Sequence, residues 1–289
     1  MKSQRFGIEI EFTGMTRLNA ARIIAKHFET TERFAGGSYD EYHIYDATNR
    51  KWKVVSDASI VPTGNSSSRC ELVSPICNYE DIETIQEIVR KLREGGMKVN
   101  HSTGIHIHID ASQHTAQSLK NLANIMSSKE NLLFEALGVD PARAERWCKK
   151  VDNSFLDKLN TRTKKDMARI RKIWYNGHDE AHMHYSQTRY RALNLHSVWQ
   201  KGTVEFRCFN STTHAGKIKA YIQLCLAISH QAKTQTGATR RHTETTNAKY
   251  TFRTWLLRMG LIGDEFKTAR QHLLSNLSGN IAWRNRGIA

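Results

Sequence analysis

Apolar and polar residues alternate over residues 5–12. Phe6, Ile8, Ile10 and Phe12 fall on one side of an extended chain, with Gly7, Glu9 and Glu11 on the other, so the segment reads as a half-buried β-strand. Three later stretches repeat the pattern. Residues 69–73 put Arg69, Glu71 and Val73 opposite Cys70 and Leu72. Gly104–Asp110 puts His106, His108 and Asp110 opposite Ile105, Ile107 and Ile109. Residues 203–209 put Glu205 and Arg207 opposite Val204, Phe206 and Cys208. A further strand group is expected in 51–61, around Trp52, Val54, Val55 and Ile60, after the break at Gly36-Gly37; the polar run 63–68 leads from it as a loop.

Between these strands the period lengthens to that of helices. Residues 16–28 (Leu18, Ala21, Ile24, Ala25, Phe28) start at Thr16, a suitable N-cap; 80–93 carry Ile82, Ile85, Ile88, Val89 and Leu92 on one side and stop at Gly95-Gly96. Residues 118–137 and 215–230 read as helices, and 141–191 as largely helical, with His178, His182 and His184 in a surface turn. Residues 233–249 are polar, a loop or linker, before helical spacing returns over 250–283. The expected domains are a catalytic one over 1–232, with a basic helical insertion at about 111–191, the 233–249 linker, and a C-terminal helical segment over 250–289.

The polar faces of the strands carry the chemistry. Glu9 and Glu11 stand about 7 Å apart on one face. Two readings are open: the solvated face of an edge strand, or the carboxylate half of a hard-cation site. His106 and His108, at i and i+2, point the same way and can both reach a metal or phosphate, where a lone buried histidine would be structural. Glu205 and Arg207 alone would be a surface pair worth under about 1 kcal/mol. If the four strands share one curved antiparallel sheet, four carboxylates and one or two imidazoles line a concave surface suited to hard cations. Chance repetition of amphipathic strands is the alternative.

Composition narrows the ligand. The 289 residues hold 43 Lys and Arg against 28 Asp and Glu, a formal charge of +15, which favours an anionic partner such as nucleotide phosphate, nucleic acid or an acidic polymer. Residues 141–191 carry 13 basic against 6 acidic side chains, a net of +7. Five cysteines without a C-x-x-C pair argue against a disulfide framework or a thiolate zinc site, and for a reducing, cytoplasmic location. The early strand with its two Glu is no signal-peptide core, and the apolar run 221–228 is too short to span a bilayer.

Gly7-x-Glu9-x-Glu11, Cys70-Glu71-Leu-Val-Ser-Pro75, Gly104-x-His106-x-His108 and Thr203-Val-Glu205-Phe-Arg207 together resemble the motifs of the amidoligases, carboxylate–amine ligases related to glutamine synthetase and glutamate–cysteine ligase. The likeness runs from about residue 5 to 230. It implies an α+β fold whose curved antiparallel sheet forms a funnel, with helices outside and a C-terminal helical appendage. It also implies ATP with two or three Mg²⁺ or Mn²⁺ ions, an anionic small-molecule or peptide carboxylate substrate, and an amine co-substrate. By the same resemblance Glu9, His106 and Glu205 hold one metal and Glu11 and Glu71 a second. Arg207 neutralises the transferred phosphoryl group and His108 touches nucleotide. A third carboxylate for the second metal is not evident, with Asp57 as candidate. Arg189 and Arg191 are candidates for binding phosphate or substrate carboxylate, or for coating the surface. Two alternatives use the same residues differently: a binuclear metallohydrolase, needing no nucleotide, and a basic nucleic-acid-binding protein, disfavoured because the strands present carboxylates and no basic recognition motif appears.

Overall fold

The computed structural model describes residues 1–164 and 166–282; Lys165 and the tail from Trp283, included in the basic and helical stretches above, lie outside the described residues. The chain divides into two compact units, one of residues 2–108 with 209–222, the other of residue 1, 109–208 and the chain from Gln223 onward.

The first unit is built on β1 (Phe6–Phe12), whose four apolar side chains are at most 2% exposed. After it come α1 (Arg17–His27), β2 (Arg33–Gly36), β3 (Glu41–Tyr45), β4 (Lys51–Val55), β5 (Cys70–Val73), α2 (Asp81–Glu94) and β6 (Gly104–Asp110), the last crossing into the other unit at Ile109. The strand order is β2-β3-β4-β5-β1-β6. β1 pairs antiparallel with β5, setting Glu11 opposite Glu71, and β4 pairs antiparallel with β5, setting Val55 opposite Glu71. The Gly104 N–H donates to Glu11 while His106 meets Glu9, so β6 runs against β1. Cys70, Leu72, Trp52, Val54, Ile105 and Ile107 join the β1 residues in the core, as period-two burial requires.

Two details seat this sheet. Thr16 caps α1 by accepting the Asn19 N–H, and α1 lies against α2, β3 and β4. Gly14 turns the chain after β1 with φ +90°; a Cβ there would stand 2.6 Å from the Gly96 carbonyl, so the close approach of Gly14 to the end of α2 needs glycine. Beside it Thr13 and Lys98 exchange backbone hydrogen bonds of 2.8 Å.

The second unit contains α3 (Ala116–Leu137), α4 (Pro141–Arg146), α5 (Asn153–Leu159), α6 (Met167–Trp174), β7 (Leu193–Asn194), α7 (His196–Gln200) and most of β8 (Thr203–Asn210). The latter part of α8 (Ala215–Thr234), α9 (Ala248–Arg258) and α10 (Lys267–Leu274) complete it. β7 and β8 pair antiparallel, Asn194 facing Glu205. α3 opens with a capping box between Thr115 and Ser118 and closes at Gly138 in the left-handed conformation. The expectation of a largely helical 141–191 is corrected: among its described residues only α4, α5 and α6, of 6, 7 and 8 residues, and one 3₁₀ turn interrupt irregular chain. Asn176 and Gly177, both at positive φ, end the last of them. The polar stretch after α8 is irregular but held: Asn121 donates to the carbonyls of Ala232 and Gln235, Asn124 to that of Ala238, and Thr243 to that of Ser128. Two Asn side chains and the Ser128 carbonyl of α3 satisfy backbone groups of this stretch. Among the described residues no helix is long and apolar enough to cross a membrane.

Candidate functional site

In the first unit β1, β5 and β6 lay their polar side chains on one face because their apolar alternates fill the other. Glu9 lies between two imidazoles: its Oε2 is 3.1 Å from His106 Nδ1 and its Oε1 3.3 Å from His108 Nε2. Glu11, nearly enclosed, takes the Gly104 N–H at 2.5 Å and stands 3.7 Å from His106 Nε2. Its backbone carbonyl accepts the Ser211 hydroxyl at 2.6 Å, which fixes the residue at both ends. His106 and His108 are both buried.

Ligand atoms of Glu9, Glu71 and His106 fall within 4.8 Å of one another, as do those of Glu11, Asp57 and Glu71. Glu71 belongs to both groups. Asp57 reaches the second from the turn after β4, where its other role is to accept the Ser59 N–H at 2.7 Å. Donor chemistry fits hard cations: one group offers two carboxylates and an imidazole, the other three carboxylates. Burial pushes the Cys70 and Cys77 thiols up to about 12, and neither belongs to these groups.

The second unit holds Glu205 and Arg207. Both are buried, and the Arg207 guanidinium donates to Glu205. The second carboxylate oxygen of Glu205 takes the Asn194 side-chain N–H at 2.6 Å. Arg207 lies with its guanidinium carbon 6.0 Å from the centre of the Tyr190 ring, and its backbone N–H donates to Ala192. The surface ion pair that an i, i+2 spacing suggests is here a desolvated one. Asn194 went unremarked in the sequence; its signal is a lone amide between Leu193 and Leu195. Arg189 donates to the His184 carbonyl and packs on Tyr185 and Tyr190, while Arg191 donates to the Lys150 carbonyl and pairs with Asp152 at 3.2 Å. His178, His182 and His184 are exposed in irregular chain, as expected of a surface turn.

An antiparallel sheet that gathers carboxylates and an imidazole into two groups sharing one glutamate defines an α+β protein with side chains that could hold a metal ion. The family model described as "Putative amidoligase enzyme" matches residues 2–229, and the chain belongs to that family. A search of curated proteins gives no match. Membership makes the protein a ligase by family and gives it, in general terms, a carboxylate and an amine to join.

Proposed function

We propose that the protein is an ATP-dependent carboxylate–amine ligase. The observation that carries this is the pair of ligand groups, Glu9–Glu71–His106 and Glu11–Asp57–Glu71, linked through Glu71 in a chain of the amidoligase family. Phosphoryl transfer asks a protein for positioning and charge neutralisation more than for covalent help. Mg²⁺ or Mn²⁺ held there would supply Lewis-acid neutralisation of phosphate oxygens.

The substrate carboxylate attacks the γ-phosphorus of ATP, ADP leaves, and an acyl phosphate forms; the amine then adds to the acyl carbon and phosphate departs, leaving an amide. Glu9, Glu11, Glu71, Asp57 and His106 are the cation holders in this scheme, and His108 contacts nucleotide. Glu205 is proposed as a further metal ligand, oriented by Asn194. Arg207 is proposed to stabilise the transferred phosphoryl group, a role supported by its burial, where a guanidinium acts more strongly on a developing charge than in water. Arg189 and Arg191 use part of their donor sets on backbone carbonyls and retain others for an anion.

Calorimetric titration with ATP tests the reading. Saturable binding is expected with Mg²⁺ and none in EDTA, because the acidic face repels an unescorted triphosphate. Glu71→Gln should weaken Mg²⁺-ATP binding at least about tenfold, since it removes a ligand from both groups. Equal ATP affinity with and without the cation would overturn the metal site, and metal-dependent hydrolysis of a substrate in the absence of nucleotide would replace the ligase by a hydrolase.

A further inference from the structure

The second unit contains a cavity of about 390 Å³ bordered by α5, α6 and the chain from Tyr175 to Arg191. Its wall includes Trp174 and Tyr175, and Asp152, Lys158, Glu180 and Arg191 stand along it. The aromatic wall is held rigidly: Trp174 meets Phe155 edge to face at 5.1 Å, and the Tyr175 hydroxyl lies 2.6 Å from His196 Nδ1. A pocket of this volume, with an apolar wall and a few polar groups converging, has the anatomy of a small-molecule site.

The charges decide what it takes. Two carboxylates stand beside two cations, so a polyphosphate would meet as much repulsion as attraction, and a purely apolar ligand would give Glu180 no counter-charge. Arg191 spends one N–H on the Lys150 carbonyl and one on Asp152, leaving donors of its fork available. Glu180 accepts the Ser186 hydroxyl at 2.6 Å and forms no ion pair among the described residues.

We infer that this cavity binds a zwitterionic small molecule, an α-amino acid or the end of a short peptide. Its carboxylate lies toward Arg191 and Lys158 and its ammonium toward Glu180 and Asp152. The binding does not depend on the ligase reading.

The test is a calorimetric titration of the full chain, in EDTA and without nucleotide, with glycylglycine and a panel of free L-amino acids. Each ligand that binds is compared with its N-acetylated and its amidated form. At least one member should saturate, and blocking either end should weaken it about tenfold or more. Arg191→Gln and Glu180→Gln should each cause a loss of similar size. Because Arg191 also pairs with Asp152, Glu180→Gln is the decisive variant, and it should leave Mg²⁺-ATP binding unchanged. The inference is overturned if no member of the panel binds, if blocked and free forms bind alike, or if Glu180→Gln binds as the parent does. Failure of the ligase reading would appear in the Mg²⁺-ATP titration and leave this one untouched.

Discussion

Glu9 and Glu71 carry the same charge in different company, and they should respond differently to its removal. Glu71 shares its neighbourhood with Glu11 and Asp57, three carboxylates within 4.8 Å, so Glu71→Gln should leave the metal-free protein as stable or more stable, by about 0.5–2 kcal/mol. Glu9 lies against two imidazoles, and Glu9→Gln should gain less. Thermal unfolding of both variants in EDTA checks this, and a Glu71→Gln protein that unfolds would mark a structural ion-pair partner instead. Glu130, in α3, is a different case. Burial pushes its carboxyl from 4.5 to about 7, against the opposing pull of the Val151 N–H at 2.9 Å. A carboxyl whose folded value is raised costs nothing below its unfolded value and destabilises progressively as pH rises through the folded one. Stability should therefore fall between about pH 4.5 and 7 by about 3 kcal/mol from this group. Glu130→Gln, which keeps an acceptor for Val151, should remove that part of the slope. Urea unfolding of both proteins at pH 5 and pH 8 measures it, and equal differences at the two pH values would refute it.

At the scale of elements, the β3–β4 hairpin is fastened to α2 by one side chain. Arg50 donates from Nε to Asp46 at 2.9 Å and forks onto Asp81, in the first turn of α2, with two bonds of 2.9 Å. Burial pushes both carboxyls upward, but hydrogen bonds outweigh it. For Asp46 they come from Thr48, the Arg50 backbone and Trp52; for Asp81 they come from Arg50 and the Asn78 N–H. Both groups are held below their usual values. Groups depressed in this way contribute stability above the unfolded value of 3.8 and lose it as pH falls through the folded one. Arg50→Gln should cost about 2 kcal/mol at pH 7, a half-buried fork lying between surface and buried pairs. The gap between the proteins should narrow as pH falls below 3.8 and through the depressed folded values. Denaturant unfolding across that range checks both statements, and a gap unchanged at low pH would show that packing of the arginine stem, not its charge, is what matters.

Over the whole molecule the formal charge of +15 sets a field that draws anions. Lys149, Lys150 and Lys164 are exposed in its most basic stretch. Changing the three to Gln should slow Mg²⁺-ATP association by several-fold at low salt, flatten its ionic-strength dependence and leave thermal stability within about 0.5 kcal/mol. Stopped-flow kinetics at two salt concentrations would show it, and unchanged rates would make these lysines solubility residues. The strand faces were legible in the sequence because side chains alternate with period two: the alternation over 5–12 and 104–110 already assigned Glu9, Glu11, His106 and His108 to polar faces. The long amphipathic helices were legible for the corresponding reason. β2 and β3 were not, since they bury little and their alternation is weak, and the short helices of 141–191 were overestimated because basic side chains suit helix and irregular chain alike. Which carboxylates meet was beyond the period-two pattern; only the family resemblance grouped Glu11 with Glu71 and offered Asp57. Glu11 opposes Glu71 only through the β1–β5 register, and Asp57 joins them only because β4 pairs with β5 and turns there. The desolvation of Glu205 and Arg207, too, follows from what packs around β8 and not from their spacing. Local periodicity decides which way a side chain points; pairing between strands distant in sequence decides what it points at.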